Sequence, residues 1–108
     1  MATREHYFHQ EEMKKFGDIS RVNEHLGKKY FDYYNAAMEE GALSAREKAL
    51  IALAVAHALK CPYCIDAYSS TCLEKGADEA QMNESVHVTA AMVAGVTLVH
   101  SVQMMNHI

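Results

Sequence analysis

Two cysteines three positions apart, Cys61 and Cys64 in the stretch CPYC, are the residues of this chain best suited to covalent chemistry. A cysteine reacts as its thiolate, and the free N–H groups and dipole at a helix N-terminus stabilise that anion. On a helix, Cα atoms three residues apart are separated by about 5 Å, inside the range a disulfide spans, so the pair can close and reopen at little geometric cost. His57 stands one turn earlier, and an imidazole is a common proton acceptor in catalysis, which makes it a candidate for that role. The same three side chains could instead contribute to a zinc site, although a fourth ligand at recognisable spacing is absent. Cys72 shares the helical stripe of Cys61, Cys64 and Tyr68, but about 12 Å of helix separates it from Cys64, so it is expected to pack rather than react.

Helices must position these groups. From about Ser20 to Met38, Val22, Leu26, Tyr30, Tyr33 and Ala37 recur every three or four residues, predicting an amphipathic helix whose aromatic residues belong to the core. Ser44 and Glu47 have the spacing of a capping box, which starts a second helix near Ala45. Between Ala49 and Leu59 that helix has one polar side chain, His57, and is expected to be buried on several sides. Pro62 suits the first turn of a third helix, with Cys61 near its N-cap and Gly76 as terminator after Lys75. ADEAQMNES reads as a short helical or turn segment. The final stretch, SVHVTAAMVAGVTLVHSVQMMN, is apolar all round.

Composition narrows the function classes. A single domain is expected over residues 1–108; half of the residues are hydrophobic, with five Gly and one Pro, and that balance favours an all-α fold. The net charge of −4 is dispersed and no basic run occurs, so nucleic acid is not an expected partner. The polar opening MATREHYFHQEEMKKF has no apolar signal region, and no run of 18 purely apolar residues suggests a membrane partner, so a cytoplasmic location is expected. In that reducing compartment three cysteines point to redox catalysis or metal binding rather than a structural framework. A chain this short has difficulty covering two all-apolar helices, which predicts a homo-oligomer.

The four residues CPYC alone resemble a glutaredoxin, but that fold needs a strand before the pair and a second proline from a later loop. Here an Ala-rich helix leads in, and Pro62 is the only proline. Residues 41–81, GALSAREKALIALAVAHALKCPYCIDAYSSTCLEKGADEAQ, instead resemble the alkyl hydroperoxidase D branch of the carboxymuconolactone decarboxylase superfamily. The resemblance lies in an apolar helix running directly into the C-x-x-C, followed by Gly-Ala and an acidic turn.

That resemblance implies an all-α protein whose small members assemble as rings, here a trimer or hexamer. It implies a thiol-dependent peroxidase: Cys64 attacks a hydroperoxide, becomes a sulfenic acid and condenses with Cys61, and an external dithiol regenerates the pair. No cofactor and no metal are expected. Ala49 and Tyr68 occupy the positions of the family's relay glutamate and histidine, so the expected candidates for proton handling are Tyr68, His57 and Glu47. Tyr68 is a poor base at neutral pH, and the capping box already accounts for Glu47. Exchange with a disulfide substrate is a variant of the same chemistry. The alternatives are a lyase acting on a carboxymuconolactone, and a non-catalytic oligomer that senses redox state or binds a metal or metalloid.

Overall fold

A computed structural model describes residues 15–108; the polar opening stretch lies outside the described residues except for its last two positions. After a 3₁₀ segment, Lys15–Arg21, come four helices: α1 (Glu24–Met38), α2 (Ala45–Ala58), α3 (Pro62–Glu74) and α4 (Glu79–Met105). The fold is all-α, as the composition predicts.

Local chemistry sets each boundary. The Asn23 side chain accepts the Leu26 N–H at 3.1 Å, so α1 starts at Glu24, later than the expected Ser20. The Ser44 N–H donates to the Glu47 carboxylate at 2.8 Å and the Glu47 N–H to Ser44 Oγ at 3.0 Å, completing the anticipated capping box of α2. Asp78 and Gln81 build a second capping box, which begins α4 within the segment expected to be a separate turn or short helix. The segment and the final stretch are therefore one helix.

The two tight connections share one geometry. After α2, Cys61 N–H donates to Ala56 C=O and Lys60 N–H to His57 C=O; after α3, Ala77 N–H donates to Cys72 C=O and Gly76 N–H to Leu73 C=O. Each is a Schellman ending with one left-handed residue. Gly76 fills that position at φ +88°, whereas Lys60 fills it at φ +54° despite its Cβ. The strained Lys60 turn ends on Cys61, so it sets where the dithiol helix begins.

The core is small: Ala49, Leu53, Cys72 and Ala77 are buried together, with Leu50, Tyr68 and Met82 packed around them. Hydroxyls fasten α4 to α2, with Ser85 Oγ donating to Leu50 C=O at 2.9 Å and Thr89 Oγ1 to Ala54 C=O at 3.1 Å. On α1 the half-buried positions are Gly27, Phe31, Tyr34 and Met38. The stripe expected to face the core points outward, with Val22 93% and Tyr33 74% exposed. Both stripes have helical spacing and apolar content, so periodicity alone did not separate them. Gly27 distinguishes the packed one, because a Cβ there would lie 1.9 Å from the Cβ of Ser20.

Within one chain, α2 buries only the face of Ala49, Leu53 and Ala56, and α4 buries no residue. Leu98 and Val99 are 70% and 62% exposed. By length and composition, α4 is also long and apolar enough to cross a membrane, although Ser, Thr, His and Gly interrupt its apolar run.

Candidate functional site

The dithiol sits where α2 turns into α3. Cys61 is the N-cap of α3 and Pro62 its first residue, so the chain reaches the helix with Cys61 extended and its Sγ turned back over the first turn. That sulfur accepts the Cys64 backbone N–H at 3.3 Å. Both thiols are free and half-buried. Burial pushes the Cys64 thiol up to about 11, helped by its hydrogen bond to Cys61 and by the charge there. At neutral pH Cys64 therefore holds its proton, while Cys61 has the backbone donor suited to an anion.

Beside Cys64 opens a groove of about 370 Å³ between α1, α2 and α3, lined by Met38, Leu43, Ile51, Val55, Leu59 and Tyr68 among others. Its walls are apolar. Lys48 also borders it, but the ammonium already donates to the Ala37 carbonyl at 2.8 Å and the Glu39 carbonyl at 2.5 Å, capping the end of α1.

Tyr68, one turn beyond Cys64, reaches the groove, and its hydroxyl is hydrogen-bonded to that of Tyr34. Burial, and next the bond to Tyr34, raise the Tyr68 phenol far above its ordinary value. Tyr68 is thus a neutral donor across the working pH range. Tyr34 comes from α1 and stacks on Tyr30, with ring centroids 6.1 Å apart and planes inclined by 30°. Sequence reading missed Tyr34; its available signal was the Gly27, Phe31, Tyr34, Met38 stripe, spaced as one helical face.

The other candidates lie elsewhere. His57 Nδ1 donates to the Leu53 carbonyl at 2.8 Å, and the ring lines a separate cavity of about 510 Å³ with Leu53, Ser69, Leu73 and Met82. Glu47 is held in its capping box, where the Ser44 backbone and side chain lower its carboxyl, and it does not line the groove. Ala49, at the relay glutamate position, is wholly buried in the core beside Cys72. Cys72 is fully buried, and that burial raises its thiol. His87 and His100 are exposed on α4. Among the described residues, no three His, Cys, Asp or Glu side chains stand close enough to hold a metal ion.

Comparison with known proteins gives the same part of the chain a lineage. The sequence pattern of the carboxymuconolactone decarboxylase family matches residues 24–106. "Uncharacterized protein 4 in cox locus" from Paracoccus denitrificans is 34% identical over 85 residues, covering 79% of this chain and 77% of that protein. The crystal structure of apo-lpg0406, a carboxymuconolactone decarboxylase family protein from Legionella pneumophila, superposes with a TM-score of 0.72 at 26% identity, covering 86% of this chain and 83% of that one.

Proposed function

Because the chain belongs to the carboxymuconolactone decarboxylase family, we propose that it is a thiol-dependent oxidoreductase of the alkyl hydroperoxidase D branch. It reduces hydroperoxides through Cys64 and Cys61, is regenerated by an external dithiol, and works as a cytoplasmic homo-oligomer. One observation carries this reading: Cys61 caps α3 and accepts the Cys64 N–H, while Cys64 borders an apolar groove.

The arrangement supports a two-step reaction. In the first, Cys64 attacks the terminal peroxide oxygen as its proton passes to the Cys61 sulfur. An S–O bond forms, the O–O bond breaks, and the alkoxy oxygen leaves as an alcohol on receiving the proton held by Cys61, which becomes a thiolate again. In the second, the Cys61 thiolate attacks the Cys64 sulfur and displaces the sulfenic oxygen as hydroxide, which takes a proton from solvent to become water, giving the disulfide. An external dithiol then reduces the disulfide and is itself oxidised. The Cys61 thiolate thus takes the proton that neither Tyr68 nor Glu47 is placed to accept. With a disulfide substrate, the better stabilised Cys61 would attack first and Cys64 would resolve the mixed disulfide.

The lyase and metal-binding alternatives have less support. Among the described residues Lys48 is the only basic side chain lining the groove, and it is engaged by two carbonyls, so those residues offer no basic cluster for a dianionic lactone. Sulfenic-acid trapping tests the cysteine roles: Cys61→Ser treated with cumene hydroperoxide should give a dimedone adduct at Cys64, and Cys64→Ser should lose peroxide turnover. Retained turnover in Cys64→Ser would refute the assignment.

A further inference from the structure

Among the described residues, the groove beside Cys64 is lined by no histidine and no carboxylate; the only side-chain hydroxyl of those residues that lines it belongs to Tyr68, and that hydroxyl is tied to Tyr34. A hydroperoxide reacting at Cys64 must leave as an alcohol, so its departing oxygen requires a proton or a strong hydrogen bond as the O–O bond breaks. Tyr68 is one helical turn from that sulfur. The two tyrosines come from different helices, 34 positions apart in sequence, and pair in a partly buried setting. Burial first, and next Cys64, Tyr34, Cys61 and Tyr30, raise the phenol of neighbouring Tyr63, so the paired ring and the dithiol lie within electrostatic reach of the same side chain.

We propose that Tyr34 is a positioning residue that donates to Tyr68 and thereby turns the Tyr68 O–H toward the oxygen departing from a hydroperoxide under attack by Cys64. This rests on the peroxide-reducing reading above. Two hydroxyls sharing one hydrogen bond leave one O–H free, and when Tyr34 is the donor the free one is that of Tyr68.

The proton balance closes. As Cys64 sulfur bonds to the terminal oxygen, the O–O electron pair stays on the alkoxy oxygen, which takes the Tyr68 proton; an alkoxide is a stronger base than even a buried tyrosinate. The Cys61 thiol, protonated by Cys64 in the same event, returns that proton to Tyr68 and becomes the thiolate that condenses with the sulfenic acid. Tyr68 is the donor to the reacting oxygen, and Tyr34 acts through it.

Full-length Tyr34→Phe, Tyr68→Phe and the double variant test this by mass spectrometry. One reaction is oxidation of the pair by cumene hydroperoxide; the other is alkylation of Cys64 by iodoacetamide, whose iodide leaves without a proton. Tyr68→Phe should slow the peroxide reaction by about ten- to hundredfold, and Tyr34→Phe should slow it by a smaller factor in the same direction. The double variant should be no slower than Tyr68→Phe, and alkylation should stay within about twofold throughout. A wild-type peroxide rate in Tyr34→Phe overturns the proposal, as does an equal loss in both reactions, which would mark a structural role. If the unsubstituted protein is alkylated normally but not oxidised by the hydroperoxide, the peroxidase reading itself fails and takes the tyrosine role with it.

Discussion

Cys61 Sγ accepts the backbone N–H of Cys64 at 3.3 Å, so one sulfur caps the helix that carries the other. The pair is unequal: burial first, and next the hydrogen bond and charge of Cys61, push the Cys64 thiol up to about 11. Alkylation of Cys64 should therefore rise with pH well beyond the ordinary thiol range. In Cys61→Ser the serine keeps the cap but removes the charge and the sulfur bond, so the midpoint should fall partway toward the ordinary value. It should not fall fully, because burial is the larger cause. Following alkylation of residue 64 from pH 7 to 12 by mass spectrometry checks both statements.

The same shifts predict how stability depends on pH. Cys64, Cys72, Tyr63 and Tyr68 all have folded-state values raised above their ordinary ones. Above the ordinary thiol and phenol values the unfolded chain gives up protons that the folded chain keeps, so this stabilisation is complete below about pH 8 and is lost as the pH rises. Glu47 works in the opposite sense at the acid end, where its lowered value makes its contribution fade as the carboxylate is protonated. Urea midpoints should fall steadily between pH 9 and 11, and a flat profile would contradict the burial of these four groups.

Lys60 and Gly76 occupy equivalent left-handed positions at the ends of α2 and α3. Lys60→Gly should stabilise the protein by about 0.5–1 kcal/mol by relieving the Cβ strain, and Gly76→Ala should destabilise it by about 1 kcal/mol. Open space surrounds Gly76, so the second cost is conformational rather than steric. Denaturant unfolding measures each change.

Much of this architecture is readable from short-range chemistry. The Ser44–Glu47 box, the Cys61 cap followed by Pro62, and the Gly76 terminator each act within a few residues, and their side chains suffice to announce them. Lys60 was not legible, because its left-handed conformation is imposed by the turn and no glycine marks it. Asp78 and Gln81 were overlooked although they follow the same capping rule as Ser44 and Glu47. Tyr34 was missed for a tertiary reason: α1 carries two stripes of apolar spacing, and the covered one is identified only by its packing partners, Ser20 against Gly27 and Tyr68 against Tyr34. His57 stood out as the single polar residue between Ala49 and Leu59, but helical rotation takes it to a different cavity from Cys64.

The outward apolar residues of α1 and α4 lead to a prediction about assembly. Light scattering on the reduced protein should give a homo-oligomer, a trimer or hexamer. Val99→Glu, at a position 62% exposed within one chain, should dissociate it without unfolding the chain. A monodisperse monomer at micromolar concentration would contradict this, and partition of intact protein into detergent would point instead to a membrane role for α4.

The central claim is that Cys61 and Cys64 form a redox pair that hydroperoxides oxidise. Mass spectrometry of differentially alkylated thiols across a dithiothreitol gradient, repeated after a pulse of organic hydroperoxide, tests it most directly. The account predicts a reversible disulfide between these two residues, formed within seconds of the pulse, with Cys72 remaining reduced. If both thiols stay reduced after the pulse, the claim is contradicted.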